Sequence, residues 1–233
     1  MKYEIRKRED GKKAIFDENG KQISDWFDYI SSEGLVGGES EYYVAKKDGK
    51  EAIFDVNGNM ITKEWFDSVG KAGLVKGQSM YYVASKGKKD AIFDRYGNRI
   101  SQWFDNISFV GLIKGESKYY IARNGLEEAI FDVNGNQISE WFSYIHPDGL
   151  VRGECDYYIG CNKGSCAVYY KSGKKVSEDF SGKYVEFYHR MTFNENLGEL
   201  KIKSFGGIVK SIDFNPVYPF KENLIDYTKL LNT

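Results

Sequence analysis

Three acids stand two residues after a tryptophan in the runs Trp26-Phe27-Asp28, Trp65-Phe66-Asp67 and Trp103-Phe104-Asp105, while a fourth run, Trp141-Phe142, is followed by serine. An indole beside a carboxylate is suited to sugars: the ring stacks on the apolar face of a pyranose and the acid takes its hydroxyls. Trp26, Trp65, Trp103, Trp141, Asp28, Asp67 and Asp105 are therefore the candidate ligand-binding residues. Neighbouring strand residues face opposite sides, so one member of each Trp-Phe pair is free to point outward. Packing between repeated units is the competing explanation, since such packing needs one large flat aromatic per unit.

Other residues offer less. The turns Asp17–Gly20, Asp55–Gly58, Asp94–Gly97 and Asp132–Gly135, built on D-x-N-G, look like the start of a calcium loop. A loop of that kind needs a bidentate Glu at its twelfth position. The residues there are Asp28, Phe66, Asp105 and Ser143, so turn chemistry explains the acids better. A polar residue recurs at Glu39, Gln78, Glu116 and Glu154, either as a ring around a ligand-binding mouth or as a solvated strand edge.

Cys161 and Cys166 flank an Asn-Lys-Gly-Ser turn, where other units carry Lys46 and Glu51 or Arg123 and Glu128. Opposite charges at matched places imply cross-strand neighbours on an exposed face. Free thiols are expected there, because Cys155 leaves an odd count and no zinc-type CxxC occurs; oxidation to a disulfide, or a metal held with Cys155, are the alternatives. His146 and His189 stand in no recognisable catalytic spacing, and nucleophile-elbow, P-loop and dinucleotide fingerprints are missing. Near-identical units also repeat the same acid in the same setting, whereas acid–base catalysis needs two acids in different environments. The expectation is no enzyme, no cofactor and no metal.

The 233 residues carry 33 basic and 34 acidic side chains, closely interspersed, for a net charge of −1. No basic face emerges to neutralise phosphates, which excludes nucleic acid as the expected partner. No apolar run approaches the about 20 residues that span a bilayer. The N-terminal MKYEIRKREDGKK holds no hydrophobic signal core, so a soluble, cytoplasmic protein is expected.

The elements that position these residues recur. Ala14, Ala52, Ala91 and Ala129 open AIFD segments 38 or 39 residues apart, and the tryptophans keep the same period. Such a period marks solenoids and propellers. Units run over about 3–41, 42–80, 81–118 and 119–156, with a degenerate closing unit over 157–214. Within each, YYVAKK alternates as a strand, DGKE closes a hairpin onto AIFD, a D-x-N-G turn returns the chain, and IS-x-WFD gives a third strand. GLVKGES, opened by Gly34, Gly73, Gly111 or Gly149, is read as the fourth. The Glu199–Phe214 hairpin is expected to complete or cap the last blade, and residues 221–233 to form a short packed helix through Leu224, Ile225, Thr228 and Leu231.

The unit resembles the bacterial WG (KWG) repeat, through Gly49-Lys50, Phe54-Asp55, Asn57-Gly58, Ile61, Phe66-Asp67 and Gly73-Leu74. The Trp-Gly that names that family is replaced here by Glu51-Ala52. The resemblance covers roughly residues 3–185 and implies a β-repeat of the interaction type, with no activity attached. The expected architecture is all-β: five tandem four-stranded repeats in one domain over 1–220, as a five-bladed β-propeller or, alternatively, an open β-solenoid. The expected function is a non-catalytic module presenting a repeated β surface to a protein partner. A multivalent carbohydrate-binding propeller is the alternative.

Overall fold

Period-two alternation in YYVAKK and AIFD builds the antiparallel hairpins that organise the chain. The computed structural model describes residues 2–185, 190–204 and 207–217. Six sheets follow one another. The first pairs β1 (Tyr3–Lys7) with β2 (Lys13–Asp17). The next three are β3 (Tyr29–Ile30), β4 (Tyr42–Lys47) and β5 (Lys50–Asp55); β6 (Ser68–Val69), β7 (Tyr81–Lys86) and β8 (Lys89–Asp94); and β9 (Asn106–Ile107), β10 (Tyr119–Asn124) and β11 (Glu127–Asp132). The fifth holds β12 (Tyr144–His146), β13 (Tyr157–Asn162), β14 (Ser165–Tyr170) and β15 (Phe180–Ser181), and the sixth β16 (Arg190–Asn194), β17 (Glu199–Ser204) and β18 (Gly207–Asp213). The molecule is all-β, a tandem array of blade-like sheets. No α-helix occurs among the described residues; the helix expected over 221–233 lies outside them.

Register follows the repeat. Tyr43 lies opposite Phe54, Ala45 opposite Ala52 and Lys46 opposite Glu51, and β7–β8 and β10–β11 repeat this pairing. Tight hairpins close the pairs: Asp48 and Gly49 both take positive φ, 51° and 78°, the backbone that a two-residue turn between twisted strands demands. After each D-turn the chain returns along its own hairpin, with bridges from Phe54 to Met60 and from Glu51 to Phe66. It then leaves that sheet, and β6 pairs with Ala84 and Ser85 of the next hairpin. One tail thus serves two sheets.

The expected fourth strand, GLVKGES, is instead a pair of turns. Gly73 and Gly77 sit at φ of 80° and 65°, and a Cβ on Gly73 would fall 2.2 Å from the Tyr81 carbonyl oxygen and 2.9 Å from that of Ile113. The glycines reverse the chain where their apolar neighbours suggested extension. The turns stack unit upon unit: Ser40, Ser79 and Ser117 donate to the carbonyls of Val75, Ile113 and Val151 one unit ahead, at 2.5, 2.7 and 2.6 Å.

Apolar clusters fill the joints. Ile15, Phe27, Ile30, Tyr43, Ala45, Ala52 and Phe54 bind the first sheet to the second, and Val83, Ile92, Phe104, Ile107, Tyr120 and Phe131 bind the third to the fourth. Each fully buried phenylalanine is worth about 1.5–3 kcal/mol. The Glu199–Phe214 hairpin does not complete the fifth sheet; with β16 it makes a sheet of its own. Asp148, 2% exposed, ties that sheet on: it accepts from the Met191 amide at 2.9 Å and meets Arg152 at 2.8 Å and Arg190 at 3.5 Å.

Cys161 and Cys166 lie opposite each other in β13 and β14, as their spacing required, but are buried and joined as a disulfide. The disulfide alternative thus holds over the free thiols expected by default, and the expected exposure is corrected. The flanking strands β12 and β15 cover this pair, and the core of the fifth and sixth sheets encloses it. Cys155 remains a free thiol.

Candidate functional site

The Trp-Phe pairs divide as strand alternation demands. Phe27, Phe66, Phe104 and Phe142 are buried, while Trp26, Trp65, Trp103 and Trp141 are half-buried. Each indole meets the AIFD phenylalanine of its own unit edge-on or tilted: Phe16, Phe54, Phe93 and Phe131, at 6.0, 5.9, 6.1 and 6.0 Å. Arg8 and Arg99 lie over the Trp26 and Trp103 rings at 5.0 and 5.7 Å. Each indole is thus part solvent-facing and part of the aromatic packing of its unit.

The acids point elsewhere. Asp28, Asp67 and Asp105 each accept a hydrogen bond from the next unit's hairpin turn, from the amides of Asp48, Gly87 and Gly125 at 2.8, 2.7 and 2.7 Å. Lys50 pairs with Asp67, and Lys89 with Asp105 at 2.7 Å. The Lys50 ammonium and then the Gly87 amide hold the Asp67 carboxyl below the usual range; at Asp105 the Gly125 amide leads and Lys89 follows. The structure thus brings Trp26, Trp65 and Trp103 each to one hairpin and the acid two residues on to the turn of the next.

The remaining repeated acids also close local structure. Glu39, Gln78, Glu116 and Glu154 accept from the amides of Gly34, Gly73, Gly111 and Gly149 at 2.8, 3.0, 2.8 and 3.0 Å. Asp55 Oδ1 accepts from the amides of Asn57 and Asn59 at 2.9 and 2.8 Å, and Oδ2 from the Asn59 side chain at 2.9 Å. Burial opposes its charge, but these bonds prevail and leave the carboxyl below the usual range. Among the described residues, no three His, Cys, Asp or Glu side chains are grouped to hold a metal.

One group of departures from the repeat was passed over by the motif reading. The third D-turn reads Asp94-Arg95-Tyr96-Gly97, with Tyr96 where the other units have Asn19, Asn57 and Asn134. Met80 stands where they have Glu41, Lys118 and Asp156. Both are exposed, Tyr96 by 67% and Met80 by 47%. Arg95 joins them, lying 5.4 Å over the Tyr96 ring and reaching Met80 Sδ at 3.9 Å. Arg95 and Tyr96 also form one wall of a groove of about 250 Å³ whose other wall includes Glu41, Tyr42, Asp55 and Ile61. The signal was in the sequence: a tyrosine at an asparagine position of an otherwise faithful turn.

No family model and no curated protein matches the chain. Among solved structures, Kluyvelomyces marxianus Hsv2 aligns at 14% identity over 89% of this chain and 68% of its own, with a TM-score of 0.39. A eukaryotic initiation factor aligns at 12% identity over 92% and 54%, with a TM-score of 0.41. The Myceliophteria thermophila Cps50 (Swd1) β-propeller domain aligns at 12% identity over 91% and 82%, with a TM-score of 0.33. Likeness at this level carries no argument about activity. No helix among the described residues is long and apolar enough to cross a membrane.

Proposed function

We propose that this chain is a non-catalytic binding module that presents its repeat surface to a protein partner, with Met80, Arg95 and Tyr96 at the centre of the contact. One observation carries this reading: in an array of near-identical units, exposed Met80 and Tyr96 depart from the repeat and half-buried Arg95, itself a departure, meets both. Folding does not require them, because the other units form the same turn without them. Methionine, arginine and tyrosine are also the types enriched where protein surfaces meet, and aromatic and arginine anchors dominate binding energy.

A photoreactive phenylalanine analogue at Tyr96 tests the reading in lysate of the source cells. The expected result is one cross-linked protein that disappears when Met80→Lys and Arg95→Val restore the residues of other units. Cross-linking that survives those substitutions, or none, overturns it. Carbohydrate binding is the second reading, supported by the partial exposure of Trp26, Trp65, Trp103 and Trp141. Saccharide-dependent change in indole fluorescence is its test. Asp28, Asp67 and Asp105 add little to it, since their carboxylates already serve neighbouring turns.

A further inference from the structure

In every unit two residues stand just beyond the last paired positions of the main hairpin, one before its first strand and one after its second. In the third unit, where Tyr81 pairs with Asp94, they are Met80 and Arg95. In the fifth, where Tyr157 pairs with Tyr170, they are Asp156 and Lys171. There the Lys171 ammonium lies 5.6 Å over the Tyr170 ring and reaches Asp156 Oδ2 at 2.7 Å. The fifth unit thus shows what a cation at this place takes: a carboxylate from the facing position.

The third unit keeps the cation and the ring and changes the facing residue. Half-buried Arg95 lies 5.4 Å over the Tyr96 ring, and at the place of Asp156 it meets the sulfur of Met80 at 3.9 Å. A guanidinium presents a planar fork of donors matched to a carboxylate, and a thioether is only a weak acceptor. The turn that carries Arg95 is also braced. Three residues, Thr62-Lys63-Glu64, separate Ile61 from Trp65, where the first, third and fourth units have two. The chain absorbs the extra residue at Lys63, with φ of 59°, and its Nζ reaches Asn98 Oδ1 at 2.8 Å, which adds a second positive charge beside the turn.

We propose that Arg95 binds the carboxylate of a single Asp or Glu in an extended segment of the partner protein, with an apolar side chain beside that acid packed on Met80 and Tyr96. This deepens the binding-module reading, on which it rests. The contacts to Tyr96 and Met80 hold the guanidinium in place, so less side-chain freedom is lost on binding. The far wall of the groove limits the segment to one acid. Glu41 is exposed there, and Asp55 already accepts three hydrogen bonds, so a run of acids or a dianionic phosphate would be repelled.

A phage-displayed library of random peptides, selected on the full chain and sequenced, tests this. Arg95→Val installs the residue of the second and fourth units, and Met80→Asp that of the fifth, so both variants use side chains the repeat already accommodates. Met80→Asp gives Arg95 an acid of its own, as Asp156 does for Lys171, and blocks the site without removing the cation. Peptides with one Asp or Glu beside Leu, Ile, Met or an aromatic are expected to be enriched about tenfold on the unmodified chain relative to either variant. The strongest such peptide, with its acid changed to the amide, is expected to bind about tenfold more weakly. Enrichment of the acid that survives Arg95→Val or Met80→Asp, or equal binding of the acid and amide peptides, overturns the proposal. Peptides that are lost on Tyr96→Asn but carry no acid overturn it and leave the binding-module reading in place. Selection without any Tyr96-dependent peptide overturns it as well, and cross-linking at Tyr96 then judges the wider reading separately.

Discussion

Replacing Tyr82 by phenylalanine should stabilise the protein, although it deletes a polar group from the core. Tyr82 is fully buried, its ring stacks on Phe93 at 5.5 Å, and its hydroxyl has no hydrogen-bond partner among the described residues. Burial raises the pKa of the phenol, so it stays a neutral hydroxyl throughout the accessible pH range. An unpaired buried hydroxyl costs about 1–3 kcal/mol on protein mutational scales. Phenylalanine keeps the ring contact and leaves a void smaller than a methyl group, worth about 0.5 kcal/mol in the other direction. The net expectation for Tyr82→Phe is about 1 kcal/mol of added stability, or about 2–4 °C in Tm for a chain of this size. Tyr120, equally buried, stacked on Phe131 at 5.6 Å and without a hydroxyl partner among the described residues, gives a second case. The double variant should gain about twice as much if the sites act independently. Urea unfolding followed by tryptophan fluorescence measures both. A loss of about 1 kcal/mol per site would mean the hydroxyls are bonded, and the account of the joints would be wrong.

Gly73→Ala should destabilise by about 3 kcal/mol or more, because φ of 80° and a Cβ contact of 2.2 Å to a backbone oxygen leave nothing soft to move; thermal unfolding is the check. Asp148→Ala should cost about 1–3 kcal/mol, since it strands the buried Met191 amide and takes the nearer carboxylate from Arg152. Its signature is faster amide exchange across Met191–Asp213 before the first four sheets loosen, and uniform loosening would refute the assignment. Acid should act through the D-turns: Asp55, Asp94 and Asp132 have depressed carboxyl pKa values, so their contribution is present above about 3.9 and is lost as pH falls through the folded values. Tm should therefore stay flat from neutral pH to about 4.5 and drop below about 4, and a drop beginning near pH 6 would contradict this.

The hairpins were legible because alternation and turn glycines act within a few residues. YYVAKK and AIFD pair in the register that their lengths dictate. GLVKGES misled for a related reason: Leu74 and Val75 are buried like strand residues, yet backbone crowding between successive units decides the φ of Gly73. The division of labour between Trp65 and Phe66 was visible as parity. The fate of Asp67 was not, because its partner, the Gly87 amide, lies in the hairpin turn of the next unit, twenty residues away. Cys161 and Cys166 were placed correctly across the hairpin, while their burial depends on Phe180 and on the sixth sheet. Tyr96 was read as turn material, although the identity of the substituted residue was the informative fact.

The tail shared between sheets also separates the unit of inheritance from the unit of structure. A duplicated stretch such as residues 42–80 encodes β4, β5 and β6, yet β6 belongs to the sheet of the next copy. Any whole number of copies therefore begins with a bare edge and ends with a tail that has lost its seat. These two ends are complementary. Fragments excised at the sequence boundaries should join head to tail in solution, whereas fragments cut half a period later, just before a WFD run, would carry complete sheets and stay apart.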